Sequence, residues 1–258
     1  MALGYLAAAT NQNFESVAIG HRCGQTSQAN YSVAIGSFSA GLNQSHDSVA
    51  VGKSCGTFDQ SFESVAIGAS CGTYDQQNYS VALGAICGRY SQGVGCVAIG
   101  YGAGGTSQGS QCVAMGYHSA LYNQGQQSIA LGYEAGRASQ ASQCVAIGYE
   151  AGRANQGDNS IAIGYRAGYS NQHQKSIAIN ATGSDLNSGG ASRFYVKPIG
   201  SSTGGSTLYW NSTSGEIYTS SSDDRVKVNE VHIENATDTL LKLKPQEYDK
   251  LDKIGSSN

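Results

Sequence analysis

The residues best equipped for chemistry in this chain are its seven cysteines, and their spacing limits what that chemistry can be. Cys23, Cys55, Cys71 and Cys87 are separated by multiples of sixteen, and Cys96, Cys112 and Cys144 repeat the same interval on a second phase. Other units carry Ser39, Ser119, Ala103 and Ala135 in these columns, so the positions call for a small side chain rather than a bridge. Stacked Cβ atoms about 4.8 Å apart lie outside the ~3.5–4.5 Å span usual for a disulfide. Free buried thiols and assembly in a reducing cytoplasm are therefore expected. Zinc is not expected, because the cysteine spacing is that of the repeat and the histidines are scattered. Nothing implies a cofactor. Carboxylate pairs of the kind that hydrolyse glycosidic bonds do not recur along the chain.

Two further columns and one pair carry functional side chains. Gln12, Gln28, Gln44, Gln60, Gln76, Gln92, Gln108, Gln124, Gln140, Gln156 and Gln172 each follow Ser, Asn or Asp. Their regular spacing predicts a ladder of stacked amides bonded to one another, a structural role, with a ligand role as the alternative. Tyr101, Tyr117, Tyr133, Tyr149 and Tyr165 form an aromatic column, and Phe58, Tyr74, Tyr90 and Tyr122 form part of another. Such columns suit either contact with a glycan or cell surface, or simple shielding of turns. Near the C-terminus Ser222 stands five residues before Lys227. Taken alone, that pair reads as a turn cap and a solvated charge.

The elements that hold these side chains come from one repeat. SVAIG begins at Ser16 and Ser32 and recurs as SVAVG at Ser48, SVAIG at Ser64 and SVALG at Ser80. CVAIG, CVAMG, SIALG, CVAIG, SIAIG and SIAIN follow at Cys96, Cys112, Ser128, Cys144, Ser160 and Ser176, with no insertion. Met1 to Gly4 falls in the same register, which implies an array continuing upstream. Alternation with period two predicts a short strand with Val17 and Ile19 on one face, ended by Gly20. The Gly and Asn/Ser/Asp-Gln positions predict turns. Indel-free units of this kind stack as a parallel solenoid. With Val, Ile and one small residue such as Cys23 or Ser39 as its interior, each coil would have a thin core. Burial of the small Ser16 and Ala18 face between chains would compensate.

Composition agrees with such an array. Only 13% of the 258 residues are charged, against about a quarter in ordinary domains, while 35 are Gly and 2 are Pro. A net charge of −3 gives no electrostatic reason to expect a nucleic-acid partner. No apolar run is long enough for membrane insertion, and the opening MALGYLAAA lacks the basic start of a signal peptide.

The SVAIG units over residues 1–180 resemble the head repeats of trimeric autotransporter adhesins, although the unit here is longer. That resemblance implies left-handed parallel β-rolls packed as a homotrimer. Residues 181–221 form a different module, in which FYVKPI, TLYWN and SGEIYTS predict a short β-meander or hairpin and resemble the neck of viral fibre proteins. Residues 222–258 contain Ser222-Asp223-Asp224-Arg225-Val226-Lys227. A segment follows that places Ala236, Leu240 and Leu243 on one helical face before Pro245. This region resembles the opening of the C-terminal intramolecular chaperone of phage endosialidases and tail fibres, a self-cleaving serine peptidase family. The resemblance implies that Ser222 attacks the carbonyl of Ser221, with Lys227 as base, and that the bond between Ser221 and Ser222 is cut. At most this is a single-turnover autoproteolysis, and the chain ends before the family's domain is complete.

The fold expected is thus all-β: a parallel β-roll of sixteen-residue coils at residues 1–180, a β neck at 181–221 and the start of an α+β chaperone at 222–258. The function expected is that of a homotrimeric viral fibre on the virion surface, assembled in the host cytoplasm and binding a host glycan or receptor. The alternatives are a bacterial trimeric surface adhesin and a monomeric solenoid that binds ice or glycans.

Overall fold

A computed structural model describes residues 1–200 and 208–219. Every regular element among them is a β-strand. The chain divides into two compact units, Met1–Gly200 and Ser201–Asn258. The first is a parallel β-solenoid of sixteen-residue coils.

Each of the first ten coils contributes one strand to each of two sheets, and the stack beyond them extends the first sheet alone. The first sheet has thirteen strands and runs from Ala2–Leu3 through Val17–Ile19 and its repeats to Ile177–Asn180 and Phe194–Lys197. The second has ten, from Thr10–Gln12 to Ala154–Gln156. Pairing is parallel and in register, so Val17 lies beside Val33, Ala18 beside Ala34 and Gln12 beside Gln28. The coils bond continuously outside the strands as well, as where Gly24 N donates to Ser39 O at 2.9 Å.

Sharp corners close a coil this small. In the second coil Glu15, Arg22, Gly24 and Ser27 hold φ of 54, 51, 52 and 56°, and the same positions are left-handed throughout the array. The residue before each Gln is one of these, with φ from 49 to 58°, which suits the Asn, Asp and Ser found there. Gly20 has a different reason to be glycine. Its φ is 134°, and a Cβ there would sit 2.6 Å from the carbonyl oxygen of Gly36 in the next coil. Stacked coils approach too closely at this corner for any side chain.

The interior corrects the sequence reading of the strand faces. Ser16, Ala18, Cys23 and Gln28 are buried, whereas Val17 and Ile19 are half-exposed, and this arrangement repeats along the array. The large aliphatic side chains point out and the small ones point in. Volume explains the inversion. A coil that closes in sixteen residues leaves room between its sheets for Ala, a Cys, Ser or Ala, and the flat amide of Gln, but not for two branched side chains. The Ser16/Ala18 face is therefore the inside of the coil and is not available to a second chain.

The stacking continues beyond residue 180 with altered register. Ile177 pairs with Phe194, an offset of seventeen instead of sixteen, and Leu186 is buried against the array. Asn180, which replaces the corner glycine, is also buried. Its Nδ2 donates to Tyr165 O and Ser184 O at 2.6 Å each, and its Oδ1 accepts from Thr182 N and Oγ1. In the second unit, Leu208–Trp210 and Ile217–Thr219 form an antiparallel hairpin. Its turn is organised by Asn211, whose Oδ1 accepts from the N–H groups of Thr213 and Ser214.

Candidate functional site

The glutamine column lies between the two sheets. From Gln28 to Gln172 these side chains are buried, and Gln12 in the first coil is partly so. The amide does more than stack. Gln28 Nε2 donates to Val17 O at 2.8 Å, across the coil, and to Ser32 O at 3.3 Å. Gln60, Gln140, Gln156 and Gln172 make the same cross-coil bond at 2.8–2.9 Å. Amide-to-amide bonds supplement it, with Gln108 donating to Gln124, Gln124 to Gln140 and Gln140 to Gln156 at 3.0, 3.1 and 3.0 Å. The Oε1 of Gln108 receives no donor. It lies against Gly104, where a Cβ would come within 2.8 Å of it. The column therefore ties sheet to sheet within a coil as well as coil to coil.

All seven thiols are free and buried. Burial pushes Cys23 up to about 11. A hydrogen bond with Cys55 pulls Cys71 down, yet its bond with Cys87 and its burial outweigh that and leave it at about 12. The bond with Cys112, and then burial, raise Cys96. Cys23, Cys71 and Cys96 are thereby held protonated in the closed coil, whereas the hydrogen bond with Cys96 lowers Cys112.

The outer columns differ in what they expose. The rings of Tyr101, Tyr117, Tyr133, Tyr149 and Tyr165 are stacked face to face, with centroids 5.0–5.4 Å apart and planes within 11°. Each is roughly half exposed, by its edge and hydroxyl, because the neighbouring rings cover its faces. A sugar that stacks on an aromatic face has only the two end rings to use. Phe58, Tyr74 and Tyr90 form a second stack at 4.9 and 5.1 Å. Thr106 separates Tyr122 from it, and Arg137 packs over Tyr122 instead.

A network of ion pairs escaped the sequence reading. Arg153 Nε bonds Glu134 at 2.8 Å, Arg166 Nε bonds Glu150 at 2.6 Å, and Arg166 Nη1 reaches Asp185 at 3.3 Å. The hydrogen bond to Glu150 raises Arg166 further above its ordinary range. The signal in the sequence is YEAGR at residues 133–137 and again at 149–153.

Two shallow grooves of about 350 and 260 Å³ run along the second sheet. Ser107, Asn123 and Ser139 line one, and Asp75 and Ser91 line the other. No group of three or more His, Cys, Asp or Glu fit to hold a metal occurs among the described residues. No helix among them is long and apolar enough to cross a membrane. Ser221, Ser222 and Lys227 lie outside the described residues, as do Ala236, Leu240, Leu243 and Pro245.

The fold defines the class of this chain as a parallel β-solenoid of short, identical coils. Among known families, the model for the YadA head domain repeat matches it, in two copies, at residues 153–167. No curated protein matches, and no solved structure matches.

Proposed function

We propose that the chain is the shaft of a homotrimeric attachment fibre displayed on a surface. The observation that carries this reading is the outer face of the first sheet. Eleven coils, from Val17/Ile19 to Ile177/Ile179, present two half-exposed aliphatic side chains each, in unbroken columns. Ile67 and Ile179, for example, are 40% and 37% exposed. A continuous apolar strip of this extent exceeds what a lone soluble chain ordinarily exposes. Three copies meeting about an axis parallel to the array bury one such strip each and close the assembly. The adhesin-type repeat supports the same arrangement. Native mass spectrometry tests it: the chain is expected as a trimer, and Ile99→Glu combined with Leu131→Glu is expected to give folded monomers. A stable monomeric parent chain overturns the proposal.

The finer reading is a viral fibre whose C-terminal segment drives trimerisation and then cuts itself off before Ser222. Its support is the motif from Ser222 to Lys227 together with the neck-like strands ahead of it. Cleavage after folding would hold the trimer by a kinetic barrier to unfolding. Ser222→Ala in the complete reading frame is expected to leave the bond from Ser221 uncut, and persistent cleavage there would refute the mechanism. The head-repeat match favours a second reading, an adhesin on a bacterial cell surface. Host-surface glycans or protein receptors are the partners either fibre would meet.

A further inference from the structure

Five consecutive coils, those holding Cys55, Cys71, Cys87, Cys96 and Cys112, each place one thiol in the sealed interior. The first three share one column and the last two share the other. Cys23 and Cys144 differ, since Ser39 follows Cys23 in its column, and Cys144 stands between Ser128 and Ser160. Only within the five-coil run does one thiol stack on another.

The stacked thiols are in contact. Cys87 Sγ and Cys71 Sγ face each other as hydrogen-bond partners, while Cys55, on the other side of Cys71, also turns its thiol to Gly68 O. In the other column Cys112 N donates to Cys96 Sγ at 3.4 Å. The backbone is compatible with a covalent link. Neighbouring parallel chains stack Cα atoms about 4.8 Å apart, within the ~4.4–6.8 Å span of disulfides. The Cβ spacing that argued against bridges is only a few tenths of an ångström too long. Closing that gap requires the two coils to draw together slightly at these residues, since rotation about Cα–Cβ moves Sγ and leaves Cβ in place.

We propose that Cys71 with Cys87 and Cys96 with Cys112 are sites of inter-coil disulfides, formed when the coils close in the presence of a small-molecule disulfide. One thiolate attacks the oxidant's S–S bond and releases one small thiol. The second cysteine then attacks the mixed disulfide and releases the other small thiol, so two protein thiols are oxidised and one oxidant disulfide is reduced. Exchange takes place while the coils assemble or locally open, because the finished interior excludes the reagent. The completed bond is shielded from reductants for the same reason. The inference rests on the interior and is independent of how many chains associate.

The test refolds the full chain from denaturant in glutathione disulfide, quenches with acid and alkylates under denaturing conditions. Chymotryptic peptides are then mapped without reduction. Cleavage after Phe58, Tyr74, Tyr79, Tyr90 and Tyr101 separates all five cysteines. Alkylatable thiols are expected to fall from seven to three, with Cys71 linked to Cys87, Cys96 linked to Cys112, and Cys23, Cys55 and Cys144 alkylated. Cys71→Ser, a residue this column already accepts at Ser39, is expected to leave Cys55 and Cys87 both alkylated while Cys96–Cys112 still forms. Seven alkylated thiols, glutathione adducts without cross-links, a Cys55–Cys71 bond, or a Cys55–Cys87 bond in the variant each overturn the assignment.

Discussion

The inner and outer faces of the first sheet are made by the same short strands, yet they obey opposite rules. Inside, Ala recurs at position 18 and at every repeat of it through Ala178. Outside, Val, Ile, Leu and Met interchange, as at Val51, Leu83 and Met115. The inner face is limited by volume and the outer face by what covers it. The contrast teaches that in a coil this narrow the more hydrophobic face is not the core.

Substitutions that blur the two faces should separate them most clearly. Ala98→Leu forces a branched side chain between the sheets and is expected to cost about 3 kcal/mol or more, read as loss of the cooperative unfolding transition. The neighbouring Ile99→Ala is expected to change the unfolding free energy of an isolated chain much less.

Alkaline pH reaches the inner face through its thiols. Unfolded thiols ionise near 9.0, whereas Cys23 in the coil holds its proton to about 11. The stability this gives is complete below pH 9 and is lost as pH rises through that window, on the order of 3 kcal/mol or less. Denaturant midpoints measured from pH 7 to 11 are expected to stay level and then fall, and Cys23→Ser is expected to flatten the fall.

Gln140→Ala removes the bond to Ile129 O and the acceptor for Gln124, with an expected loss of ~1–3 kcal/mol by chemical denaturation. Tyr133→Ala interrupts the outer aromatic stack between Tyr117 and Tyr149 and is expected to cost about 1 kcal/mol. A larger loss from Tyr133→Ala than from Gln140→Ala would reverse the ranking of inside over outside.

The period, the strands and the corner residues were all legible in the sequence, because each recurs without an insertion and names its own position. The side of the strand that faces inward was not. Alternation of Val17, Ala18 and Ile19 defines two faces, but choosing between them requires the cross-section of the closed coil, which no single unit states. The Gln column was visible as a ladder, while its bonds to Val17 O and its equivalents depend on how far apart the sheets stand. The Glu134–Arg153 and Glu150–Arg166 pairs join residues nineteen and sixteen positions apart. The first crosses between columns and emerges only from the stacked coils, whereas the second lies in one sixteen-residue column and follows from the repeat that YEAGR marks. The slip to seventeen between Ile177 and Phe194 was hidden because the repeat had already lost its wording there.

The in-register stacking of interchangeable coils also bears on how such a chain can change over generations. Each coil meets its neighbours through the same columns, Ala on Ala, Gln on Gln and corner glycine on corner glycine. A gene segment encoding one whole coil can therefore be duplicated or dropped by slippage during replication without disturbing the contacts on either side. Reach becomes a trait that heredity can adjust in fixed increments, while an odd-length insertion within the repeats would move the following residues out of their columns.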